Sequence, residues 1–162
     1  MDYLRLVFEP IPAASRYATL ANLLPRGEWD ELRGAAYRSA GYRCQGCARE
    51  DRLHCHEVWQ YNPATGSQWL RGFRALCGAC HDATHITFVR DPRRRDELLQ
   101  HFAAVNRIGM EEAGQLLRAA EQRQALLDQR HWTVTYGEFN FQMPSVPATP
   151  QRRAYARLNR HG

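Results

Sequence analysis

The chain has 162 residues, 44% hydrophobic and 24% charged, which fits one globular domain and is too short for two large ones. No apolar run approaches the ~20 residues of a bilayer-spanning helix. Met1–Leu24 is interrupted by Arg5, Glu9, Pro10, Pro12 and Arg16, so neither a membrane span nor a signal peptide is expected, and a cytoplasmic setting is.

The basic residues number 22 against 17 acidic ones, and all 22 are arginine. Residues 1–150 are nearly balanced, and the excess comes from Arg152, Arg153, Arg157 and Arg160 in an acid-free tail. Arginine suits bidentate contacts to phosphate, so this tail favours a nucleic-acid partner.

In chain order, residues 1–27 read as an extended N-terminal arm, with Leu4, Leu6 and Phe8 alternating before Pro10 and Pro12. From Glu28, the spacing of Trp29, Leu32, Ala36 and Tyr37 is helical, with Gly41 as its stop. Leu53 to Tyr61 reads as a strand, Asn62 to Gly66 as a turn and Ser67 to Leu76 as the returning strand. A helix from about Cys80 to Val89 closes a core expected to span 28–90.

Asp91-Pro92 forms an N-cap and first helical position for a helix with Leu98, Leu99, Phe102 and Val105 on its apolar side. A second helix, about Met110 to Arg130, presents Leu116, Leu117, Ala120 and Leu127. The two are expected to form an antiparallel pair packed on the core within 91–139, followed by a short extended segment from His131 to Tyr136. Residues 140–162 read as a Pro-rich linker and the basic tail.

Four of the five cysteines form two Cys-x-x-Cys pairs, Cys44/Cys47 and Cys77/Cys80. In a reducing compartment such knuckles read as one structural zinc site rather than as disulfides. Cys55 is left over and reads as a small buried hydrophobe. The second knuckle runs directly into Cys80-His81-x-x-x-His85, and positions i and i+4 share a helix face. His56, on the first strand of the hairpin, adds a third imidazole. Three imidazoles with open positions make a catalytic type of metal site, distinct from a closed four-cysteine one. They select zinc, manganese, nickel or cobalt over magnesium, which prefers oxygen ligands.

Cys-x-x-Cys, a strand with Leu-x-x-His, then Leu76-Cys77-x-x-Cys80-His81-x-x-x-His85 resembles the HNH endonucleases, also called ββα-metal or His-Me finger nucleases. The resemblance covers about residues 29–89. It implies an α+β fold, a zinc-stabilised ββα-metal finger core with additional C-terminal helices, in which two antiparallel strands and a helix clasp one divalent cation that cleaves phosphodiester bonds in DNA. By position, His56, His81 and His85 match the ligands of that cation, and the four cysteines match the structural zinc of many members.

Two positions depart from the family pattern. Glu57 stands where the family has its general-base histidine, and Gly72 where it has an asparagine. Glu57 is the first candidate base, although an unperturbed carboxylate near ~4.3 is a weaker base than an imidazole near ~6.5. Strand alternation puts His54 on the face of His56, which makes His54 the alternative base or a fourth ligand. Arg71, Arg74, Arg93, Arg94 and Arg95, with Arg152 and Arg153 of the tail, are the expected contacts to a DNA or RNA backbone. The reading that competes with a nuclease is a non-catalytic zinc-stabilised DNA-binding or adaptor module that has lost the general-base histidine. Oligomeric state has no signature in the sequence.

Overall fold

The computed structural model describes residues 4–136, so the linker and basic tail, with Arg152 and Arg153, lie outside the described residues. Its architecture is mixed α+β, with five helices and a three-stranded sheet of order β1-β2-β3. No helix among the described residues is long and apolar enough to cross a membrane.

Strands β1 (Leu53–Asn62) and β2 (Ser67–Cys77) form an antiparallel hairpin in which Leu53 faces Cys77 and His56 faces Arg74. The register slips between Val58 and Trp59, which pair with Gly72 and Leu70, so that Arg71 is the extra residue of a β-bulge. At the hairpin tip Gly66 takes φ +66, and a Cβ there would stand 3.2 Å from the His131 carbonyl oxygen. Thr133 donates to the Gly66 carbonyl at 2.8 Å, and β3 (Thr133–Thr135) then runs parallel to the start of β2. The extended segment expected at 131–136 is thus a sheet strand, and among the described residues β1 and the short β3 are the two edges.

One apolar cluster joins Leu20, Leu24, Leu70 and Tyr136, with Trp29, Leu32, Trp59 and Phe73 packed against it. It brings α1 (Leu20–Leu23) and α2 (Arg26–Ser39) onto the sheet. Tyr37 of α2 also donates to the Leu53 carbonyl at 2.9 Å. Helix α1 corrects the expectation of an arm that is extended throughout, and α2 starts at Arg26, ahead of Glu28. Leu20 is fully buried, and this local burial rewards the one helical turn that the prolines before it obscure.

The second cluster holds Leu6, Leu76, Ile86, Leu98, Phe102 and Leu117 together with three of the cysteines. It packs α4 (Pro92–Asn106) and α5 (Met110–Asp128) against α3 (Gly78–Thr84) and the arm. Asp91 caps α4, accepting from the Arg94 amide at 2.7 Å. The helix after the second knuckle is shorter than expected. Thr84 Oγ1 donates back to the Cys80 carbonyl at 3.0 Å, α3 stops there, and Ile86–Phe88 continues as a 3-10 turn. The arm itself is held by Asn106, whose side chain accepts from the Leu6 amide at 3.0 Å and donates to the Leu6 carbonyl at 2.9 Å.

Candidate functional site

The two knuckles meet because the first is stitched onto the end of β2. The Gln45 amide donates to the Ala75 carbonyl at 2.8 Å, and the Gln45 side chain accepts from the Ala75 amide at the same distance. Gly46 completes the approach: a Cβ there would come within 3.0 Å of Cys80 Sγ and 3.3 Å of Leu6 Cδ1. The ligand atoms of Cys44, Cys47, Cys77 and Cys80 then lie within 4.8 Å of one another. All four thiols are free, with Cys47 Sγ and Cys77 Sγ 3.7 Å apart.

The donor set suits a structural metal ion. Burial alone would raise the Cys47 thiol, but the Arg49 side chain, at 3.5 Å from its sulfur, leads the hydrogen bonds that bring it down to about 6. Burial pushes the Cys77 and Cys80 thiols up, as expected for neighbouring sulfurs whose charge a cation would neutralise. His101, which the sequence leaves without a partner, lies with Nε2 3.2 Å from Cys80 Sγ.

The second cluster forms where β1 passes α3. His56, His81 and His85 present ligand atoms within 4.8 Å of one another, with ring centroids 4.9–5.5 Å apart. Burial, and then the neighbouring His56, lowers His81 to about 4 and His85 to about 3, so both rings are neutral lone-pair donors near pH 7. His85 Nδ1 is buried with no hydrogen-bond partner, an orphaned polar atom that a cation would satisfy. The residues present therefore fit a second metal ion.

His54 stacks on His81 at 5.2 Å between centroids, on the face of β1 that carries His56, but it is exposed. Glu57 points to the other face and is 8% exposed. Its Oε1 accepts from the Leu20 amide at 2.7 Å, and its Oε2 has no hydrogen-bond partner. Burial raises its carboxyl to about 7, against the lowering pull of the Leu20 and Ala21 amides and the Trp59 side chain. Because β1 is an edge strand, residues of both its faces border one cavity of about 140 Å³, and Glu57, His56, His81 and His85 all line it. Cys55 shares this lining, and burial pushes its thiol up to about 12.

Two residues of this region have no signature in the sequence. Glu9, on the arm, places Oε2 3.0 Å from His56 Nε2, and its amide donates to the Thr84 carbonyl at 2.9 Å. Arg16 is exposed and lies 4.2 Å over the Phe88 ring, close enough to His85 to lower that imidazole further.

The arginines expected on nucleic acid divide. Arg71 in the bulge and Arg93 on α4 are exposed. Arg74 donates to the carbonyls of Arg5 at 2.7 Å and Gln45 at 3.3 Å, tying the arm to the first knuckle. Arg94 pairs with Asp82 at 2.8 Å and Glu97 at 3.3 Å. Arg95 pairs with Glu121 and donates to the Ile86 and Val89 carbonyls. Arg74, Arg94 and Arg95 are thus engaged within the fold.

A scan against protein-family models found no match for this chain, and neither a search of curated proteins nor one of solved structures found a similar protein.

Proposed function

We propose that this chain is a metal-dependent endonuclease of the HNH, ββα-metal type, hydrolysing phosphodiester bonds in DNA, with zinc as the structural ion in its four-cysteine cluster. The observation that carries the reading is the convergence of His56 from a hairpin strand with His81 and His85 from the following helix, separate from the cysteines and bordering a cavity.

The three imidazoles would hold one divalent transition metal, which when bound supplies positive charge against the oxygens of a phosphodiester. Glu57 borders the same cavity, and its carboxylate would take the proton of the attacking water. The Leu20 amide holds one carboxylate oxygen and fixes the side chain. Arg16, beside His85, and the exposed Arg71 and Arg93 supply cationic contacts for the phosphate backbone.

Cleavage of plasmid DNA and of single-stranded DNA with added manganese, compared between the native protein and His81→Ala, tests the reading. Activity that His81→Ala abolishes while zinc content is kept supports it. Equal activity, or none in either protein, overturns it. The second reading, a DNA-binding module without catalysis, is favoured by one observation: Glu57 already serves the fold as the acceptor for Leu20. It predicts binding of DNA without cleavage.

A further inference from the structure

A second cavity, of about 340 Å³, lies between the arm, the edge of β1 and α5. Small-molecule sites start near ~300 Å³, so it has room for one heterocycle. Its walls combine apolar and aromatic side chains, Phe8 and Trp59 among them, with the polar residues Glu9, Tyr61 and Arg123. Trp59 and Ile11 line both this cavity and that of the three histidines. Glu9 lines this one while bonding His56 of the other. The two spaces are therefore neighbours.

Polar groups behind this wall lack partners. The Tyr61 hydroxyl is buried without a hydrogen bond. Across the hairpin from Tyr61, Gln68 is fully buried with both its amide nitrogen and its oxygen unpartnered. These atoms are sealed from the cavity, and Gln68 is not among its lining residues, so they belong to the fold behind its wall.

We infer that this cavity is a nucleobase subsite, which receives one unstacked base next to the phosphodiester bound at the three histidines. The inference rests on the nuclease reading, because the group adjoining a phosphodiester in nucleic acid is a nucleoside. The apolar and aromatic part of the wall suits the faces of a base, while Glu9 offers an acceptor and Arg123 donors to its edge. A base paired in duplex cannot enter, so the substrate class is single-stranded or locally unpaired DNA.

The test uses the full chain with zinc loaded and single-stranded hexadeoxynucleotides carrying 2-aminopurine at each position in turn. Binding is read by the probe's emission and therefore does not require cleavage. One position should be quenched far more than the others. Val7→Trp, which fills the cavity from an exposed lip, should remove that difference and weaken binding roughly 5- to 150-fold. Arg123→Ala, at an exposed site on α5, should weaken binding of the same hexamer without unfolding the protein.

Emission that is uniform across positions and insensitive to both variants overturns the subsite. Cleavage that persists with such uniform emission leaves the nuclease standing and the subsite refuted. Position-dependent quenching without cleavage in any metal supports the subsite and refutes the nuclease.

Discussion

Glu9 Oε2 and His56 Nε2 stand 3.0 Å apart across 47 positions of sequence. A carboxylate only accepts hydrogen bonds, so this contact puts the imidazole proton on Nε2 and leaves the lone pair on Nδ1. Carboxylate partners of this kind hold a metal-binding histidine in one tautomer and orientation. Glu9→Ala should therefore weaken binding of manganese or cobalt to the three histidines by ~10- to 100-fold. Calorimetric titration of protein whose cysteine cluster already holds zinc checks this, and an unchanged affinity refutes it.

The four cysteines should retain about one zinc ion per chain. In Cys77→Ser the ion should be lost and the fold with it, because binding free energy at such a site is folding free energy. Elemental analysis and circular dichroism on freshly reduced protein measure both quantities. Zinc-free protein that is fully folded would refute the structural role.

Gly46 is expected to tolerate no side chain. The Cβ of Gly46→Ala would meet Cys80 Sγ at 3.0 Å and Leu6 at 3.3 Å, both fully buried. Overpacking of this kind costs ~1–3 kcal/mol. Because the clash falls on a candidate ligand, zinc should also exchange faster with a chelator. Chemical denaturation and a zinc-release assay report the two effects separately.

Glu57→Gln keeps an acceptor for the Leu20 amide, removes the basicity and puts an NH2 donor in place of the second oxygen. The variant should fold as the native chain does and lose about 10²-fold or more in cleavage rate. Glu57→Ala, which also removes the Leu20 partner, should lose stability as well. If Glu57→Gln cleaves at the native rate, His54 becomes the candidate base, and His54→Ala tests it.

The tail offers a measurement in salt. Each phosphate neutralised on duplex DNA contributes ~0.9 to the slope of log affinity against log salt concentration. Removing residues 151–162, with Arg152, Arg153, Arg157 and Arg160, should reduce that slope by up to ~3.6. A truncated protein with the full-length slope would assign DNA binding to the core arginines alone.

The hairpin, the second knuckle and α4 were legible because their signals are local. Period-2 alternation marks His54 and His56 on one face, the i and i+4 spacing pairs His81 with His85, and Asp91-Pro92 starts a helix. What was illegible depends on contacts distant in sequence. Glu9 meets His56 only after the arm folds back, and His101 reaches Cys80 only when α4 packs on α3. On its strand Arg74 reads as a phosphate ligand, but its guanidinium finds backbone carbonyls of two loops whose positions no local pattern encodes. The early end of α3 is intermediate in kind: Thr84 is visible in the sequence, but its back-bond to Cys80 competes with helix propagation in a way spacing does not reveal.

Asn106 does for Leu6 with one carboxamide what an adjacent strand would do with its backbone, accepting and donating at once. That latch is specific to an amide. Aspartate at this position would still accept from the Leu6 N–H, but it would turn the donor into a second acceptor against the Leu6 carbonyl. A single deamidation event would thus remove one of the ties on the segment that carries Phe8 and Glu9, and chemical ageing would act toward the histidine cluster through a residue that touches none of its rings.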